Sequence, residues 1–470
     1  MSQKTIFISL SSIAAFRNLF FFPESFYGRL RQRLKDDRGL RIVIVMPDRY
    51  YEKVAPFLEK DISERLIIET VHLGEKKRFS QKLFYFFYSH LLYTGTTRLM
   101  ATVGTRPDEP PAGGRWFLAP IKVLIARTIG RSRRVRLKII PKLFLKLFPD
   151  RADMGRLFQK YHPNLVFITH LYGWFDTVLL GEAKRHHITT IGMPAGWDHL
   201  DKYFLPFQVD TLLVPSEQVR DAAVRYQSYN PNTIRIVGYP HLDFIVRHAD
   251  DRTRAEVLSS LGWPKDAKYI LYVSGSAYCP DEPEIIEKIL CWADEGRFGE
   301  DVRMIIRPYL GGRSKDRAFD AEKFERFKKN PRVRFYEREF WGDMDKAREF
   351  VALMRHADAV LAVYTTMVLE AGALDRPLVA VAFDGSAYRP WYRSIRRFEG
   401  FEHFQDVLKT GAMRTAYNFD RLFEILDNYF KNPRLDGERR ELLRERLCYK
   451  LDGKASERVL DEVLRFIARG

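Results

Sequence analysis

Short apolar, β-branched runs alternate with helix-forming stretches along this chain, and the alternation happens twice. The first series is "TIFISL" (5–10), "RIVIVMP" (41–47), "RLIIETVHL" (65–73), "NLVFITHL" (164–171), "TTIGMP" (189–194), "DTLLVPS" (210–216) and "TIRIVG" (233–238). The second is "YILYVSGSAY" (269–278), "VRMIIRPY" (302–309), "RVRFYE" (332–337), "AVLAVY" (359–364) and "PLVAVAFD" (377–384). Strands buried on both faces read as continuous apolar runs, and parallel strands need helical crossovers. The pattern predicts an α/β protein of two doubly wound, Rossmann-like domains facing a cleft, with C-terminal helices from Phe404 onward.

At 470 residues the chain also exceeds one core, since cores stop growing at roughly 250–300 residues. The polar stretch "DDRTRAEVLSSLGWPKDAK" (250–268) marks the boundary. The predicted domains are 1–249, with a basic and aromatic helical insertion at 79–149, and 250–470.

The net charge of +17 favours anionic partners. Much of it is local: residues 110–149 hold ten Lys or Arg and no Asp or Glu. Upstream, "FSQKLFYFFYSHLLY" (79–93) is dense in aromatics. A cationic amphipathic surface of this kind suits an anionic membrane leaflet, and it equally suits a packed helix pair with a solvated basic face. No RNA-binding signature accompanies it, and no nucleic-acid partner is expected. Cys279, Cys291 and Cys448 lack metal-ligand spacing, which points to a reducing, cytoplasmic compartment. "TIFISL" is read as a strand rather than a signal peptide. No apolar run is long enough to span a bilayer, so any membrane contact is peripheral, on the inner face of the cell membrane.

The stretch "LAVYTTMVLEAGALDRPLVAVAFDG" (361–385) carries the chemistry. With a strand ending at Val363, Thr365 is the expected N-cap of the next helix. Backbone N–H groups and the positive dipole end then meet phosphate. Thr366 and Glu370 are four apart and share a face, so a phosphate at the helix start leaves a ribose within reach of Glu370. The turn at Gly275 and Ser276 permits backbone approach to a pyrophosphate. Asp384 begins a loop returning to the same edge. The glycines at Gly311 and Gly312, beside Arg313, lack the spacing of a P-loop. No zinc-hydrolase or serine-hydrolase motif occurs.

The segment "HADAVLAVYTTMVLEAGALDRPLVAVAFD" resembles the nucleotide-binding part of GT-B glycosyltransferases. It is most similar to the branch of CDP-glycerol glycerophosphotransferases and UDP-N-acetylglucosamine 2-epimerase-like surface-polysaccharide proteins. "GMPAGWDHLDKY" (192–203), "IRIVGYPHLDFI" (234–245) and "LDGKASERVLDEVL" (451–464) are similar to segments of the same branch. The resemblance implies that Thr365 and Thr366 meet donor phosphate and Glu370 binds ribose. Arg307 stands where the branch carries Arg-Pro-His, with Tyr309 in place of the histidine. Val363 replaces an aspartate, and "VYTT" lacks the glycines of the epimerases. Sugar transfer is the activity the resemblance best implies: a glycosyltransferase moving a sugar from a nucleotide-diphosphate donor to a cell-surface glycan or lipid-linked acceptor. Glycerophosphate transfer, epimerisation and a non-catalytic scaffold are the alternatives. Arg307 and helix N–H groups would serve the leaving group without metal or cofactor. His170, Asp176, Asp198 and His199 are candidates for the base, with His170 and Asp198 preferred. His241 and Asp243 are expected at an interdomain hinge.

Overall fold

Each apolar run of the first series becomes a strand: β1 (Lys4–Ser9), β2 (Leu40–Pro47), β3 (Leu66–Val71), β4 (Leu165–Ile168), β5 (Thr189–Gly192), β6 (Thr211–Val214) and β7 (Ile234–Ile236). The second series gives β8 (Lys268–Val273), β9 (Val302–Arg307), β10 (Val333–Phe335), β11 (Ala359–Ala362) and β12 (Leu378–Val381). The computed structural model describes residues 3–73, 78–103, 116–148, 152–309, 314–337 and 343–469. The glycines at 311 and 312, Arg313, residues 110–115 and residue 149 lie outside these.

With β13 at Met413–Ala416, all strand pairs are parallel, and they form two sheets ordered β3-β2-β1-β4-β5-β6-β7 and β10-β9-β8-β11-β12-β13. The central strands are buried nearly throughout, which is why they read as unbroken apolar runs. β13 adds a strand where the sequence reading placed mostly helix, beyond Phe404. It pairs with β12, but as an edge strand it buries only its two ends, leaving Arg414 and Thr415 half-exposed. Four residues with a central cation give no strand signal.

The chain divides into two compact units, Met1–Arg98 with Phe117–Phe244 and Tyr449–Gly470, and Leu99–Trp116 with Ile245–Cys448. In the first, Asp243 holds the C-terminal helix (Ala455–Arg469), accepting from the backbone N–H groups of Ala455 at 2.9 Å and Ser456 at 2.7 Å. In each sheet the order reverses beside the first strand, between β1 and β4 and between β8 and β11. Ligands of open α/β sheets bind at such reversals, beyond the strand carboxyl ends.

The aromatic and basic insertion forms the helices Phe79–Ser89, Ala119–Arg127 and Ile140–Leu147. Phe84, Tyr88, Phe144 and Phe148 interlock on the inner side, and Phe144 reaches Trp174 at a ring separation of 5.8 Å. Phe79, Leu83, Phe117, Ile121, Leu124, Ile139 and Leu143 stay exposed. Among the described residues no helix is long and apolar enough to cross a membrane.

Candidate functional site

The reversal in the second sheet lies between the turn after β8 and the turn after β11. The two turns approach closely: a Cβ on Gly275 would meet Val363 Cγ2 at 2.4 Å. Glycine at 275 is therefore required by packing against Val363. Its N–H donates to Glu282 Oε1 at 2.7 Å, and the Ser276 N–H donates to Ser274 Oγ at 2.9 Å. Both N–H donors are thus spent within the protein.

A buried charge cluster that the sequence reading missed fixes the turn. Lys323 Nζ donates to Glu282 Oε2 at 2.5 Å, to Ser274 Oγ at 3.3 Å and to the Ser276 carbonyl at 3.1 Å. It also lies 3.2 Å from Asp320 Oδ1. All three charged side chains are buried. Burial pushes the Glu282 carboxyl up and the Lys323 ammonium opposes it. Asp320 Oδ2 meanwhile accepts from the Tyr309 N–H at 2.6 Å, fixing the end of β9. Glu282 and Lys323 are 41 residues apart in sequence, and no local pattern announces the pair.

The turn after β11 also corrects the sequence reading by one residue. The helix is Met367–Ala373, its N-cap is Thr366 rather than Thr365, and neither hydroxyl makes a capping bond. Thr366 has helical φ and ψ, −63° and −19°, which points its side chain away from the capping position. Thr366 is exposed and Thr365 half-buried. Glu370 is half-buried one turn along, and its carboxylate has no hydrogen bond or ion pair among the described residues. Arg307, the last residue of β9, donates from Nη1 to Met367 Sδ at 3.0 Å and lies over the Phe350 ring at 3.9 Å. The structure thus brings Arg307 to the first residue of the helix that carries Glu370.

Asp384 is 5% exposed, and its Oδ1 accepts the Ile395 N–H at 2.9 Å. That bond organises its own loop.

In the first sheet, β1 and β4 are joined by side chains at their ends: the Thr169 N–H donates to Ser9 Oγ at 2.9 Å, and Thr169 Oγ1 to the Ser9 carbonyl at 2.7 Å. His170 follows, almost fully buried, with Nδ1 3.7 Å from Asp176 Oδ2. Asp176 is fully buried and accepts from the Ser11 hydroxyl. Burial pushes the Asp176 carboxyl up to about 6 and the His170 imidazole down to about 3. His170 packs edge-on against Tyr172, which stacks on Tyr203 at 4.2 Å and touches His199 at 4.4 Å. Asp198 is half-buried and accepts from Lys202 Nζ at 3.3 Å, with His199 Nε2 3.8 Å from its other oxygen. The structure therefore gathers His170, Asp176 and His199. His241 Nδ1 has no hydrogen-bond partner among the described residues.

Two doubly wound parallel sheets with these crossovers define a GT-B fold. Comparison with known proteins agrees. Residues 323–465 match the family model described as "CDP-Glycerol:Poly(glycerophosphate) glycerophosphotransferase", which supports a transferase. The matched segment contains Lys323, Thr365, Thr366 and Glu370 and begins after Arg307. Among solved structures, UDP-GlcNAc 2-epimerase from Methanocaldococcus jannaschii superposes with a TM-score of 0.53 at 14% identity, covering 99% of this chain and 100% of that one. UDP-GlcNAc 2-epimerase from Neisseria meningitidis, solved bound to UDP-GlcNAc, gives 0.52 at 10% identity, covering 98% and 100%. A glycosyltransferase from Rickettsia africae gives 0.52 at 9% identity, covering 99% and 100%. At these identities the likeness is one of fold. No curated protein matches the chain.

Proposed function

We propose that the protein transfers a glycosyl group from a nucleotide-diphosphate sugar to a hydroxyl of a cell-surface glycan or lipid-linked precursor. The observation that carries this reading is Glu370: a carboxylate with no hydrogen bond or ion pair among the described residues, one turn from Thr366, at the reversal of the second sheet. The ribose diol donates two O–H bonds to Glu370, which accepts both. The diphosphate lies at Thr365 and Thr366, and Arg307 meets the charge that grows on it as the glycosidic bond breaks. No metal is needed for that step. In the first unit, His170 and Asp198 are the candidates for a base, with Asp176 behind His170 and Asp198 pairing with Lys202. Thermal stabilisation by uridine, cytidine or guanosine diphosphate, retained in a metal chelator, tests the donor site.

A second reading has one specific support: the family model covering residues 323–465 describes transfer of glycerol phosphate. In that case cytidine diphosphate stabilises the protein and uridine diphosphate does not.

The proposal includes a place of work, the cytoplasmic face of an anionic membrane. Of the sixteen exposed large apolar side chains among the described residues, nine lie between Phe79 and Leu143. Phe117, Ile121 and Leu124 recur at helical spacing, and Arg131, Arg133, Arg134, Lys138, Lys142 and Lys146 are exposed beside them in sequence. Apolar residues entering the interface, with cations on lipid phosphates, account for both.

A further inference from the structure

The loop from β12 to the short helix Ile395–Gly400 is tied down along its length. Besides the Asp384 bond to Ile395, Ser386 donates its N–H to Glu284 Oε2 at 2.8 Å and its hydroxyl to the same carboxylate. Arg389 pairs with Asp281, Nη2 to Oδ1 at 3.2 Å. Asp281 and Glu284 lie at the start of the helix that follows β8. Since β11 separates β8 from β12, the loop reaches across the carboxyl edge of the sheet at its reversal.

On this fixed backbone, three large aromatic side chains face solvent: Tyr388 is 96% exposed, Trp391 44% and Tyr392 55%. Trp391 leans on the backbone at Gly400, its Cζ2 3.6 Å from where a Cβ would stand. Arg393 and Arg396 are exposed on the same segment and make no ion pair among the described residues. Arg396 lies over Tyr417, 5.0 Å from the ring centroid, and that ring is exposed too. Holding aromatics in water on a rigid loop has a cost in apolar exposure that binding would recover.

We propose that this loop is a docking platform for an anionic saccharide chain. Tyr388, Trp391 and Tyr392 offer flat faces to the C–H faces of successive sugar rings. Arg393 and Arg396 take phosphate groups on the chain, for which the planar guanidinium fork is suited. Several rings with two cations fit a repeating polymer better than a single nucleobase, which needs one stacking face. Naming this chain the acceptor rests on the transferase reading; the binding does not.

The test is calorimetric titration of the full chain with a phosphorylated dextran oligosaccharide, an unmodified dextran of equal length, and inorganic phosphate. A parallel arm uses uridine, cytidine and guanosine diphosphates. The phosphorylated oligosaccharide should bind about tenfold tighter than dextran or phosphate alone. Trp391→Ala and Arg393→Gln should each weaken it by about tenfold, with the thermal midpoint and nucleotide affinity unchanged. Equal binding of phosphate and phosphorylated oligosaccharide overturns the platform, as does undiminished oligosaccharide binding in both variants. Loss of nucleotide affinity in Trp391→Ala reassigns the loop to the donor and also overturns it. Oligosaccharide binding without any nucleotide binding leaves the platform standing and removes the transferase.

Discussion

Arg307 and Met367 meet through a 3.0 Å N–H···S contact that ties the end of β9 to the helix start after β11. A thioether is a weak acceptor, so the contact serves to position the guanidinium at the helix start.

Replacing Arg307 with lysine keeps the charge and loses the planar fork. Arg307→Lys should weaken nucleoside diphosphate binding by about 1.5–3 kcal/mol, the range for hydrogen bonds to charged groups. Titration calorimetry measures it. Equal affinity of both proteins would remove Arg307 from the donor site.

The buried cluster behind the β8 turn should govern stability. Lys323→Met leaves Glu282 and Asp320 buried without their cation, at a cost of about 3–5 kcal/mol. Urea denaturation at neutral pH reads this as a lower midpoint. Acid should partly rescue the variant, because protonating Glu282 removes the uncompensated charge. A change below about 1 kcal/mol would mean that the cluster is not a keystone of the turn.

His170 and Asp176 pull stability in opposite directions with pH. Below the ordinary histidine value of 6.5 the unfolded chain takes up a proton that the folded His170 refuses until about 3, so folding weakens as pH falls. Asp176 holds its proton up to about 6, against an ordinary 3.8, so its share of stability is lost as pH rises through that range. His170→Gln removes only the first effect. The stability of the native chain relative to that variant should fall by about 1.4 kcal/mol per pH unit between about 6 and 4. Parallel denaturation curves across that window would show that His170 is not buried as a neutral ring.

The basic surface is tested separately. Reversing Arg131, Arg133 and Arg134 to glutamate should abolish most binding to anionic vesicles, since each cation near such a surface contributes about 1 kcal/mol. Phe117→Ser with Leu124→Ser should weaken it without changing its salt dependence. Vesicle co-sedimentation at two salt concentrations distinguishes the terms, and unchanged, salt-insensitive partitioning would reject the surface.

What was legible in the sequence follows from what is local. Strands buried on both faces, such as "VLA" of β11 and "LVAV" of β12, announce themselves in four residues. β13 does not, because as an edge strand it carries Arg414 in its middle. That Glu370 stands one helical turn after Thr366 was legible from their spacing. The Thr365 cap was misplaced by one residue, since the actual start depends on backbone angles that two adjacent threonines leave undecided. Gly275 looked like a phosphate turn because its close partner, Val363, comes from a distant strand. Lys323 and Glu282 were invisible for the same reason: a charged pair reads as two surface residues until folding buries it. The anchored aromatic loop was equally hidden, because only contacts with Asp281 and Glu284 make it rigid.

The central claim is that Glu370 grips the pentose of a nucleotide held at Thr365 and Thr366. The most direct measurement is the affinity of the best-stabilising nucleoside diphosphate for the native chain and for Glu370→Ala, beside its 2′,3′-dideoxy analogue. Binding should be about tenfold weaker or more in the variant, with no further loss when the analogue lacking the diol is used with it. Equal affinity of native and variant proteins for the intact nucleotide would contradict it.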